Sequence, residues 1–226
     1  MMLKPKRKIA RQEIKKDPLL ESIANIQSHW NTHKNTYYRY GTILVIGIVA
    51  IIFFVNRTTT KRVEADALFG RAVLAWDSHD YENAEFQFEL LVDEYGNTPR
   101  GITGYYYLGL LRKDNEDPQA AIDAFEAFVK DRKQFNLLLG NAHHELARLY
   151  LKVNDNAMAE KHLTEAIELT EDPELKHIYQ LDLSELLYAQ NRSEEARRYL
   201  DIVLEDPEID KGIESRAQEL AGKFSG

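Results

Sequence analysis

Ala84, Ala121, Ala159 and Ala196 stand 37, 38 and 37 residues apart, and each closes a polar turn of similar make-up. Those turns are Asp80–Asn83, Asp117–Ala120, Asp155–Met158 and Arg192–Glu195. Four residues beyond each alanine comes a large apolar side chain: Phe88, Phe125, Leu163 and Leu200. A fixed period of this size is the signature of a stacked repeat, in which one unit cannot bury its own apolar face and its neighbours cover it. The chain is therefore expected to be all-α, with each repeat read as helix, turn, helix. The pairs are placed at 62–77 with 81–95, 102–114 with 118–132, 138–152 with 156–169, and 174–189 with 193–204. A last amphipathic segment at 210–224, with Ile213, Ala217, Leu220 and Ala221 on one face, is placed as a capping helix.

The region before the repeats has a different chemistry. From Gly41 to Val55 there is no charge, and Tyr37, Tyr38 and Tyr40 extend the apolar run to about 18 residues, enough for most of a ~30 Å hydrocarbon core. The tyrosines lie where an interfacial aromatic belt is found, with Phe53 and Phe54 towards the other end. The stretch is apolar all round and bounded by Arg39 and Arg57, which disfavours a buried helix. No small-x-small pattern follows it, so a retained signal anchor fits better than a cleaved leader.

Charge gives the orientation. Residues 1–56 carry nine Lys/Arg and three Asp/Glu, in a chain whose net charge is -8. Basic residues before the span place the N-terminus in the cytoplasm and the acidic repeats outside, in the periplasm of a diderm cell. The expected organisation is 1–36 as a basic cytoplasmic segment, 37–56 as the transmembrane anchor and 57–226 as the exported repeat domain. Lys4, Lys6, Arg7, Lys8, Arg11, Lys15 and Lys16 suit anionic lipid, with ribosomal RNA or an acidic partner as the sharper alternative. Leu19, Leu20, Ile23, Ile26 and Trp30 share one helical face, as expected of a short amphipathic helix over 18–33.

Catalytic signatures are missing from the sequence. It has no cysteine, which excludes disulfides, thiol chemistry and Cys-ligated metal. It has no G-x-S-x-G, P-loop, H-E-x-x-H or EF-hand pattern. His29 and His33 are spaced as helical zinc ligands can be, but have no third ligand nearby in sequence; His143 and His144 are adjacent and point apart on a helix. His162 and His177 read as surface residues. The expectation is a non-enzymatic chain with no cofactor and no metal.

The repeats resemble the tetratricopeptide repeat family. Leu108-Gly109 and Leu146-Ala147 match its large-then-small pair, and Arg71-Ala72 and Leu183-Ser184 match in part. Ala84, Ala121, Ala159 and Ala196 hold its small position in the second helix. The resemblance implies that Ala72, Ala84, Gly109, Ala121, Ala147, Ala159, Ser184 and Ala196 let paired helices approach closely. It also implies a concave groove for a peptide, lined by Phe69, Val73 and Trp76, by Tyr106, Leu110 and Lys113, by His144, Arg148 and Leu151, and by Leu181, Glu185 and Tyr188. The period of 37–38 exceeds the family's usual length and implies longer loops between repeats. Tyr95-Gly96-Asn97-Thr98-Pro99 reads as a turn with a helix stop.

Taken with the single anchor, the plan is similar to the membrane-anchored ancillary subunits of the bacterial Sec translocon. That resemblance implies protein partners at the translocon and among periplasmic chaperones. An adaptor in cell-envelope assembly or division stands as the alternative.

Overall fold

The computed structural model describes residues 18–114, 117–130 and 136–225. Among them every element is an α-helix: α1 (Pro18–Asp77), α2 (Tyr81–Tyr95), α3 (Pro99–Asp114), α4 (Pro118–Val129), α5 (Asn136–Lys152), α6 (Asn156–Leu169), α7 (Pro173–Ala189), α8 (Ser193–Leu204) and α9 (Lys211–Ser225). The chain divides into two compact units, Met1–Arg57 and Thr58–Gly226. The basic cluster at 4–16 lies outside the described residues.

In the first unit, α1 is uncovered. One helix of the described residues is long and apolar enough to cross a membrane, with a window of mean hydropathy 2.1 and none of that window buried. The expected break between a surface helix and the span is not found, because no glycine or proline interrupts residues 19–40 and the helix simply continues. Asn56–Arg62 likewise holds no breaker, and the helix runs on through it.

The second unit alternates A helices (the end of α1, α3, α5, α7) and B helices (α2, α4, α6, α8), each A–B turn being three residues long. The turn has a common physical design. The N–H of Asp80, Asp117, Asp155 and Arg192 reaches back five residues to the carbonyl of Ala75, Arg112, Tyr150 and Leu187. That bond closes a Schellman turn, which needs a left-handed residue just before it. His79, Asn154 and Asn191 hold φ of 60°, 63° and 64° there. The next residue then caps the B helix: Asp80, Asp117 and Asp155 accept from the N–H of Asn83, Ala120 and Met158. Arg192 cannot accept, and its side chain instead donates to Glu195 and Glu160.

The alanine period follows from packing. Ala84, Ala121, Ala159 and Ala196 are fully buried, as are Ala72 and Ala147. Gly109 is buried so tightly that a Cβ there would fall 2.7 Å from the Phe125 ring. Ser184 is buried too and donates to the carbonyl of Ala196 at 2.7 Å, tying A to B in the fourth repeat. Phe88, Phe125, Leu163 and Leu200 fill the adjoining space.

Two expectations about element ends are corrected. Pro99 starts α3 rather than ending a helix: it takes the first helical position, where its missing N–H costs nothing, and the Thr98 hydroxyl accepts from the Gly101 N–H at 3.1 Å. The connections from B to the next A are not uniformly long; they alternate at three, six, three and six residues. At the far end, α9 packs against both α7 and α8. It takes the place of a fifth A helix, and its Leu220-Ala221 stands 37 residues after Leu183-Ser184.

Candidate functional site, the face of the A helices

The face built by the A helices is closed along most of its length by side chains that join one repeat to the next. At the near end Phe69, Val73 and Trp76 are partly buried against the first core. Phe69 meets Phe88 and Tyr107 edge-on, and the Arg100 guanidinium lies 4.9 Å over its ring. Trp76 meets Tyr107 in the same way at 5.5 Å. In the second repeat Tyr106 packs on Phe125 and Phe128, and burial pushes its hydroxyl pKa up. Leu110 joins the same cluster.

A ladder of charges runs across the A helices. Lys113 of α3 reaches Glu145 of α5 at 3.1 Å. His144 of α5 reaches Asp182 of α7 at 2.6 Å, and its ring stacks on Tyr179 at 4.5 Å. Arg216 of α9 reaches the same Asp182 at 2.5 Å and Glu185 at 3.3 Å. Burial alone would raise the Asp182 pKa, but the bonds from His144 and Arg216 outweigh it and hold the carboxyl below its usual range. Lys113, His144 and Glu185 therefore join successive helices rather than standing idle for a ligand.

Leu181 does not line the face at all. It is 0% exposed, in a cluster with Leu200, Val203, Ala217 and Leu220, because α8 and α9 close over it. Its neighbour Asp182 holds the outward position instead. Tyr188 is also engaged: its ring stacks on Phe224 at 4.1 Å, and its hydroxyl donates to the Lys223 carbonyl at 3.0 Å.

What remains open is a cleft of about 380 Å³ between α5, α6 and α7. Arg148 and Leu151 form one wall, Asp182, Glu185, Leu186 and Ala189 the other, with Asn156 and Leu163 at the base. The Arg148 side chain is 60% exposed, and its guanidinium lies 4.0 Å from Glu145. The cleft combines an apolar floor with an anion and a cation on opposite walls, the arrangement that holds a peptide by backbone dipoles and one or two side chains.

The histidines differ from expectation. His162 and His177 are buried, not surface residues. His162 Nδ1 lies 2.9 Å from His143 Nδ1, its ring stacks on Tyr150, and burial lowers its pKa. His177 lies 3.2 Å from Asp206. Sequence reasoning missed both because the covering groups sit 19 to 29 residues away. His29 meets Tyr37 at 2.8 Å, and its ring lies 4.6 Å from that of His33, tilted by 53°. Among the described residues, no three potential metal ligands come together.

The comparison that decides the family is a match of the tetratricopeptide repeat-like domain profile to residues 103–224. The chain belongs to the tetratricopeptide repeat-like family. This fold is that of a protein-interaction scaffold. The first repeat lies before the matched segment, yet it keeps the same turn and the same buried alanines. No curated protein is significantly similar to the chain. Among solved structures, a tetratricopeptide repeat protein from Parabacteroides merdae has a TM-score of 0.57 at 16% identity, over 71% of this chain and 61% of that one. YrrB, described as a tetratricopeptide repeat protein with an unusual peptide-binding site, has 0.55 at 18%, over 70% and 76%. MamA from Desulfovibrio magneticus RS-1 has 0.50 at 15%, over 72% and 78%. At these identities the likeness is one of fold.

Proposed function

We propose that this chain is a membrane-anchored tetratricopeptide repeat scaffold that takes a polypeptide segment into the cleft between α5 and α7. The observation that carries this reading is the contrast along the A-helix face: elsewhere its polar groups are spent on joining repeats, whereas Arg148 and Leu151 open onto unfilled space. Leu151 supplies apolar anchoring, and the charges fix direction and register.

The anchor is α1, with Gly41–Val55 in the bilayer, the basic N-terminal segment in the cytoplasm and on anionic lipid, and the repeats at the outer face of the cytoplasmic membrane. Support comes from the uncovered apolar helix and the lysine and arginine excess before it. The organisation 1–36, 37–56 and 57–226 is retained on that basis. In that setting the ligand is an exported chain or a chaperone beside the Sec translocon.

The test is crosslinking in intact cells from a photoreactive residue at Arg148 or Leu151. Adducts with translocon subunits, exported chains or periplasmic chaperones are expected. Adducts confined to outer-membrane assembly or division proteins would replace this partner set with the envelope-assembly alternative. A reporter at the C-terminus that is active only in the cytoplasm would overturn the orientation.

A further inference from the structure

In every repeat after the first, the outward side of helix A is covered by the preceding helix B. Leu111, Leu149 and Leu186 occupy one register of that side and are 3%, 1% and 6% exposed. Gly104, seven residues before Leu111, is so close to α2 that a Cβ would fall 3.0 Å from Leu91 and 3.1 Å from Val92. The same register in the first repeat is held by Ala67 and Leu74. No helix precedes it in the array, and Leu74 is 67% exposed.

The first repeat nevertheless keeps the sequence of a covered face. Val63, Ala67, Gly70 and Leu74 follow a 4-3-4 spacing, a seam opposite the fully buried Ala65 and Ala72. A terminal repeat that ends in solvent requires a polar outer side. Gly70 is the sharpest sign. A glycine weakens a helix interior, yet a Cβ at Gly70 would meet nothing within 4 Å, so no contact inside the chain calls for it. Unlike Gly222, it lies on an apolar seam between Val63 and Leu74, where it leaves room for a close approach from outside.

We infer that this face pairs with the same face of a second copy of the chain, α1 running parallel to α1. A second copy offers no bare B helix to fill the site, because α2, α4 and α6 are covered by the following A helices and α8 is covered by α9. The face itself is self-complementary. In a parallel seam with Ala67 and Leu74 at one core position and Val63 and Gly70 at the other, Asp66 of one copy faces Arg71 of the other, five residues on, and the reverse. Both side chains are on the exposed part of α1; Asp66 also accepts from Arg100 of its own chain through Oδ1 at 2.8 Å and stays 57% exposed, so the contact with the second copy is made by its other oxygen. The parallel sense rests on the single-span reading, since two chains that enter from the same membrane must run the same way. A head-to-tail assembly is excluded by the covered far end, so the pair is closed and does not grow.

The chain has no cysteine, which gives a direct test in the full-length protein in membranes. Gly70→Cys is expected to yield, on mild oxidation, a disulfide-linked species of twice 26.2 kDa, and Glu82→Cys on the exposed side of α2 is expected not to. Adding Arg71→Asp to Gly70→Cys is expected to cut the yield at least fivefold, and adding Asp66→Arg as well to restore it. Absence of the double-mass species from folded, helical protein overturns the pairing. So does a Gly70→Cys adduct of another mass, which would assign the face to a helix of a different polypeptide. A carbonate wash of the same membranes reports on the anchor separately. Release of the chain by the wash sinks the span and the parallel sense, while the disulfide still reports whether the two faces meet.

Discussion

His144 on α5 donates from Nε2 to Asp182 on α7 at 2.6 Å, although 38 residues separate them in sequence. Arg216 of α9 donates to the other oxygen of the same carboxylate. One carboxylate thus clamps three A helices in a setting where its side chain is 22% exposed. Asp182→Ala should cost about 2 kcal/mol, because hydrogen bonds to charged groups contribute roughly 1.5–3 kcal/mol and both the His144 imidazole and the Arg216 guanidinium lose their acceptor. The loss is read from urea unfolding. The Asp182 pKa is depressed in the folded state, so its contribution is present above the ordinary carboxylate range and fades as pH falls through and below it. The difference between the native chain and Asp182→Asn should therefore shrink in acid.

Burial gives the His162 imidazole a lowered pKa, with Lys161 acting in the same direction and Glu126 and Glu165 opposing. The unfolded chain takes up a proton at about pH 6.5 while the folded chain does not. The contribution is complete above that pH and is lost as pH falls below it. Tm measured at pH 7.5 and pH 5.5 should show this drop. In His162→Phe, which keeps the ring stacked on Tyr150, the drop should be smaller.

Gly109→Ala should destabilise by about 1–3 kcal/mol, the usual cost of overpacking a filled core. The added methyl meets the fully buried Phe125 ring, which has nowhere to go. Gly222→Ala in α9, where a Cβ meets nothing within 4 Å, should cost nothing. Paired thermal melts check the contrast; equal effects at the two sites would mean that the close approach of α3 and α4 is not what fixes the small residue.

His79 holds φ of 60° in the first A–B turn, where Asn154 and Asn191 stand in later repeats. A left-handed backbone favours glycine over any side chain. His79→Gly should raise stability by about 0.5–1 kcal/mol, a few degrees in Tm. His79→Val should lower it, since a branched Cβ clashes in that conformation. A Tm rise with valine would mean that the turn changes shape.

The turn and the alanines were legible because both obey local rules: a helix N-terminus wants an acceptor, and two helices in contact want a small residue. The start of α3 was harder. Pro99 stops or starts a helix with equal ease, and only the Thr98 cap decides. The side-chain roles on the A-helix face were the least legible. Leu181 and Asp182 differ by one position in register, and which of them faces out depends on α9, more than thirty residues later. The burial of His162 and the continuity of α1 likewise rest on what lies nearby in space, or on the lack of any breaker, rather than on a pattern within a few residues.

Helix α9 carries the Leu-Ala pair of an A helix, and it spends Phe224 and Arg216 on Tyr188 and Asp182 of α7, in the seat of a fifth A helix. Because those contacts reach only α7 and α8, α9 is a unit that depends on the fourth repeat alone: its fifteen residues stay seated however many repeats stand before that one.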